Sequence, residues 1–409
     1  MTLGHLGIHR VTTNSPTDYL PQSYTHRLWI ALTAANSALR EDIRARLEQD
    51  PRAKKLVGRM LNNGFGASLL NLDSIVYWWI WRANNVGTTQ ADSELERFLA
   101  SEETEIFICL WLHGIDPKTT VKLTEQIDLV PTASMPDSDE KEEYVAAFNL
   151  SLSAIVPKPR AALITKVRIP KIVSNIYDPS DNENCQRAIR LLFQTATLLN
   201  CLPDVYCLPY FRTTYLPEYS PPGPFSGKSG ITPIYDTIPS NYSTPDVIDP
   251  ELVNSLIIAF EKLPQTSQQT LNASLLRLGQ AKFRQNPNDS ALDLGISLEM
   301  LLLNSEHKGQ ELPGQLNLHF RIRGAWLIGD SPTDRRRVYD LLGRIYKFRS
   351  QVAHNGRSTD LARFNLQELK AMKTEHLAVA CKIVQEIITK GFPKNWADLV
   401  VGPVVGTVA

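Results

Sequence analysis

The stretch Tyr346-Lys347-Phe348-Arg349-Ser350-Gln351-Val352-Ala353-His354-Asn355-Gly356 closes a long run with helical apolar spacing. Its reading decides how the C-terminal third of the chain folds. Val338, Leu341, Leu342, Ile345 and Val352 recur at intervals that put them on one helix face. A helix over 333–354 follows. Arg349 lies four residues after Ile345 and three before Val352, so it falls on that stripe. Asn355-Gly356 then offers a left-handed stop. Arg349 and His354 are five positions apart, about 140° around a helix, and converge only where the helix ends and the backbone turns. An arginine neutralises a phosphate and a histidine moves a proton near neutral pH, a pairing that suggests RNA cleavage. The bare Arg-x4-His spacing is weak in a chain with eight histidines. A histidine in a last turn also serves as a cap on the final carbonyls.

The C-terminal part of the chain reads helical at about 249–262, 267–284, 290–304, 333–354 and 365–390. Asp249-Pro250-Glu251 starts the first of these, and Asn365 with Glu368 has capping-box spacing at the start of the last. On the 290–304 helix Leu292, Ile296 and Leu303 form a stripe that includes Glu299. Charges on apolar faces need partners, so Glu299 and Arg349 are expected to pair between the two helices. Such a pair is either a buried ion pair holding register or a carboxylate that orients a working arginine.

Upstream, residues 211–247 form a Pro-rich linker, within the 209–250 stretch that carries nine of the 26 prolines. Before it, the alternation in 147–156 and 163–169, a helix over 184–199 and a short strand at 205–208 define a small α/β unit over 145–210. Residues 1–130 read as a helical N-terminal region, with helices including 67–81 and 94–112. The bundle then covers 248–392 and a tail 393–409. The expected fold class is α+β, mostly α.

With 409 residues and Lys+Arg equal to Asp+Glu at 43 each, the chain has room for two or three domains and no global basic field. Any phosphate-binding surface is therefore local. Five scattered cysteines with no Cys-x2-Cys pair argue against a zinc site or a disulfide framework, and no other metal or cofactor motif stands out. The opening Met1–Arg10 segment has no apolar signal-peptide core, and the run Ile75–Trp81 is too short to cross a bilayer. A cytoplasmic location without membrane contact is the expectation.

Three segments in order resemble the HEPN superfamily, and within it the Apea-like HEPN group. They are Leu276-x-Leu278-x2-Ala281-x2-Arg284, then Ala291-Leu292-Asp293-Leu294-x-Ile296-x-Leu298-Glu299-x-Leu301-Leu302, then Ile345-Tyr346-x2-Arg349-Ser350-x-Val352-x-His354. The resemblance covers about 248–392. Ser350 stands where many active members carry Asn, Asp or His. The resemblance implies a helical bundle that forms a homodimer, with two Arg-x4-His motifs meeting across the interface. It also implies a metal-independent endoribonuclease effector of bacterial anti-phage defence or a toxin system. Arg349 and His354 would then be catalytic, with Glu299, Ser350 and Asn355 supporting them. The alternative is a non-catalytic HEPN module that binds RNA, nucleotide or a partner protein. In either case the N-terminal region is open to a partner protein or effector.

Further nucleic-acid candidates are Arg335, Arg336 and Arg337, basic where a helix start prefers acid, and Lys166 and Arg168 within the cluster Lys158, Arg160, Lys166, Arg168, Lys171. A solvated face is the competing reading for both groups. The aromatic run Tyr77-Trp78-Trp79-x-Trp81 reads as core rather than a stacking surface.

Overall fold

The computed structural model describes residues 36–62, 67–135, 159–173, 183–215, 248–303 and 315–401. The expected strand at 147–156, residues 216–247 of the expected linker and the end of the tail lie outside them. The chain is mostly helical with a smaller β component. It divides into two compact units, one drawn from Met1–Leu112, Gln126–Leu192 and Pro209–Ile238, the other from His113–Glu125, Phe193–Leu208 and Pro239–Ala409. Among the described residues no helix is long and apolar enough to cross a membrane.

In the first unit, α1 (Ser37–Gln49), α2 (Pro51–Leu56), α3 (Leu72–Val86) and α4 (Thr88–Ala100) gather a core around Ile43, Leu47, Trp78, Ile80 and Leu95. The aromatic run is core, as its pattern suggests. Trp78 and Trp79 are buried, and the Trp79 indole N–H donates to Asp92 at 3.0 Å. A small sheet has the order β2 (Ala67–Leu69), β1 (Met60–Asn62), β7 (Ile172–Val173).

The main sheet corrects the helical reading of 94–112. That segment is helical only to Ala100 and continues as β3 (Glu103–His113), which pairs antiparallel with β6 (Ala161–Pro170) from Glu103↔Pro170 to Leu112↔Ala161. Ile106 to Leu112 is buried at every position. A strand covered on both faces shows no alternation, so only its β-branched and aromatic content separates it from a buried helix. The sheet therefore joins a strand from the expected helical region to one from the expected α/β unit. β5 (Asp128–Pro131) flanks β6, and β8 (Leu208–Tyr215) flanks β3. β8 replaces the expected strand at 205–208 and occupies sequence read as irregular. Pro209 is tolerated there because β8 is an edge strand, where a missing N–H breaks no interior ladder. The short β4 (Val121–Lys122) belongs to the second unit, and α5 (Glu183–Leu199) follows β7.

The second unit is built on α6 (Pro250–Glu261), α7 (Gln265–Phe283), α8 (Pro287–Leu302), α9 (Leu316–Ile328), α10 (Pro332–Asn355) and α11 (Leu366–Lys390), with a short α12 (Trp396–Val401) after them. α8 packs between α7 and α10, α9 lies on α10, and α11 touches α6, α7 and α9. The start signals work as their chemistry demands. Asp249 accepts from the Glu251 and Leu252 amides, and Asn365 and Glu368 complete a capping box. α9 is the helix that the pattern hides: Leu316, Leu318, Phe320 and Ile322 alternate with polar residues at the period of a strand. Its own Gly324 lets Leu342 of α10 come close, since a Cβ there would overlap that side chain.

Candidate functional site

α10 carries the motif. Ser331 caps it by accepting from the Asp334 amide at 3.1 Å, Pro332 opens the first turn, and Gly356 ends it in the left-handed region with φ 71°. The Gly356 amide closes on the Val352 carbonyl at 2.8 Å. The terminator expected at Asn355-Gly356 is therefore present. His354 and Asn355 sit exposed in the last turn, and Ser350 is half-buried one turn earlier.

Arg349 donates from Nη2 to Glu299 Oε2 of α8 at 2.6 Å, so the expected pair is formed. Its side chain keeps 26% of its exposure and that of Glu299 19%. Arg349 Nε is buried without a hydrogen-bond partner among the described residues. Burial pushes the Glu299 carboxyl above its ordinary range, and the facing guanidinium offsets this only in part.

The geometry of α8 differs from its expected stripe. Leu292, Ile296 and Leu303 are half-buried, whereas Leu294, Leu298, Leu301 and Leu302 face the core. Apolar residues surround most of this helix, so their spacing does not reveal which side is covered. Glu299 lies on the half-buried side, beside the edge of the α10 stripe where Arg349 emerges.

Gly295 is a site residue that the sequence reading missed. It stands one turn before Glu299, and a Cβ on it would be 2.5 Å from Arg349 Cβ. The bare backbone of Gly295 lets the arginine stem lie across α8 and reach Glu299. Its signal was a glycine inside a helix, at the i−4 position from the carboxylate.

A second missed feature fixes the turn beyond His354. Asp360 accepts from Lys347 Nζ at 2.8 Å and Gln351 Nε2 at 2.9 Å, and these partners hold its carboxyl below the ordinary range. The Ser358 amide donates to Asn288 Oδ1 at 2.9 Å, and the Ser358 hydroxyl donates to Gln351 Oε1. The chain after the motif is thereby tied back to α10 and to the start of α8. A third is the buried Asp293, which accepts from Arg277 and Arg284 at 2.9 Å each and braces α7 against α8.

The further basic candidates have local partners. Arg335 donates to the Gly329 carbonyl and lies over the Trp326 ring, Arg336 pairs with Asp340 and Arg337 with Asp334. Asp334, in the first turn, answers the helix-start mismatch read from the arginines alone. In the first unit Lys166 pairs with Glu105 at 3.4 Å, and Arg168 stands opposite Glu105 in the ladder. Lys171 leaves that basic cluster altogether. It is buried, donates to the Phe98 and Ser101 carbonyls, and burial lowers its ammonium to about 8.

All five cysteines are buried and unbridged. Among the described residues no three His, Cys, Asp or Glu side chains stand together as a metal set. Compared with family models, with curated proteins and with solved structures, the chain matches none.

Proposed function

We propose that the second unit is a HEPN-like bundle acting as a metal-independent endoribonuclease in a defence or toxin setting. The observation that carries this reading is the arrangement on α10. An exposed His354 lies in the last turn of the helix five residues after Arg349, whose guanidinium is oriented by Glu299 yet remains partly open to solvent. Transesterification of RNA needs a base for the 2′-hydroxyl, an acid for the leaving 5′-oxygen and positive charge on the phosphorane. One copy supplies a single motif histidine. Two copies meeting at α10 would supply base, acid and two arginines, with products ending in a 2′,3′-cyclic phosphate and a 5′-hydroxyl.

The non-catalytic reading has its own support. One Arg349 nitrogen is already committed to Glu299, and Ser350 stands where many active members of the resembled family carry Asn, Asp or His. In that reading the same surface binds RNA or a partner protein and the pair serves register.

One experiment separates them: RNA incubated in chelator with the wild-type chain and with His354→Ala. Cleavage in chelator that falls by at least about 10²-fold in the variant supports the enzyme. Cleavage that vanishes in chelator and returns with magnesium refutes the mechanism. Binding without cleavage assigns the site to the non-catalytic reading.

A further inference from the structure

A second feature of this unit lies on another side of α10. A cavity of about 470 Å³ opens among the end of α7, the start of α8, Phe348 of α10 and the first turns of α11. That volume is within the range of small-molecule sites. Its apolar wall includes Phe283, Leu294, Phe348, Leu361, Leu369 and Met372. Four cationic side chains line it, Lys282, Arg284, Lys370 and Lys373, and among the described residues no acidic one does.

The charges differ in how they are held. Lys282 is buried and committed to the Leu202 and Val205 carbonyls, and Arg284 is committed to Asp293. Lys373 donates to the Lys282 and Arg284 carbonyls at 2.9 Å each, and among the described residues no carboxylate pairs with it. Lys370 is exposed at the rim. His376 lines the same cavity, is 95% buried by its 5% exposure, and its Nε2 has no hydrogen-bond partner among the described residues. A buried polar atom left unpaired in a cavity wall is costly unless something occupies the cavity.

We infer that this cavity binds an amphipathic organic anion, a carboxylate on an aliphatic or aromatic body, with Lys373 and Lys370 at its head and the leucine and phenylalanine wall around its tail. The polar groups favour this class over a nucleotide. The Ser290 hydroxyl is spent on the Ala281 carbonyl and the Thr374 hydroxyl on the Lys370 carbonyl, so neither donates to a base edge. Burial lowers the Lys373 ammonium to about 8, and a bound carboxylate would reverse part of that cost.

The test is calorimetric titration of the full chain with decanoate, decanol, AMP and inorganic phosphate. The proposal expects decanoate to saturate below about 1 mM, and the other three to bind at least tenfold more weakly or not at all. Ala291→Phe, which fills the cavity from a half-buried position on α8, should abolish decanoate binding. Lys373→Met and Lys370→Gln should each weaken it severalfold. Lys370→Gln changes only an exposed side chain and carries the charge test should Lys373→Met fail to fold. No saturation by decanoate, equal binding of decanol, tighter binding of AMP, or indifference to Ala291→Phe would each overturn the assignment. None of these outcomes depends on RNA cleavage, so this site and the motif stand or fall separately.

Discussion

Gly295 and Arg349 are packed so closely that a Cβ at position 295 would stand 2.5 Å from Arg349 Cβ. The pair fixes the separation of α8 and α10 and aims the guanidinium at Glu299. Gly295→Ala removes a helix-interior glycine, which by itself favours the helix by up to about 1 kcal/mol. Overlap outweighs that gain here. We expect a net loss of about 1–3 kcal/mol in urea unfolding and a changed Arg349 side-chain resonance. Unchanged stability with an unchanged resonance would show that the helices part easily.

Glu299 gives a sharper contrast. Glu299→Ala strands a half-buried guanidinium and removes a charge-assisted hydrogen bond, with an expected loss of about 1–3 kcal/mol. Glu299→Gln should lose less than half of that at pH 7. The folded-state pKa of Glu299 is raised, so its ionised form is the less stabilising one, and its contribution falls as pH rises through the range above 4.5. An amide resembles the neutral acid. Equal destabilisation by Gln and Ala in paired denaturation curves would contradict this reading.

Gly356 isolates a backbone effect. Apart from its chain neighbours, no atom of the described residues lies within 4 Å of a Cβ built there, and φ is 71°. Gly356→Ala should therefore cost about 1–2 kcal/mol through conformation alone, and loosen the turn behind His354. Hydrogen exchange at 352–358 measures the second effect. Protection equal to the wild type in that segment would argue that Asp360 and Ser358 hold the turn without the glycine.

His376 predicts a dependence on pH. Burial lowers its folded pKa from 6.5 to about 4. Between those values the unfolded chain binds more protons than the folded one, so stability is full above pH 6.5 and is lost as pH falls toward 4. The loss attributable to this ring approaches about 3 kcal/mol. His113, also of the second unit, is lowered to about 4 by its own burial and acts in the same direction. His376→Phe should reduce the acid loss of the second unit, followed by a probe such as Trp326 fluorescence. An identical acid midpoint in the variant would mean that His376 charges in place.

The dimer needs its own measurement. If α10 brings two motifs together, sedimentation at micromolar concentration should show a dimer, and a carboxylate introduced at exposed His354 (His354→Glu) should weaken it. A chain that remains monomeric with and without RNA would leave one histidine per site and remove the basis of the two-histidine mechanism.

Local chemistry made much of the second unit legible from sequence. Asp249, Asn365 with Glu368 and Gly356 each satisfy backbone groups within a few residues of themselves, so their helix ends could be read without knowing any neighbour. The pairing of Glu299 with Arg349 was legible for the same reason, because a charge on a covered helix needs a partner and few were on offer. The tertiary structure alone decided what depends on a second element. Ile106–Leu112 is a strand because β6 and β8 flank it and both faces are covered, a context that a continuous apolar run cannot announce. Which side of α8 is buried was settled by α7 and α10, not by its nearly all-round apolar sequence. The role of Gly295 and the cavity beside His376 arise where residues distant in the chain meet, and no spacing along the sequence encodes a distance across space.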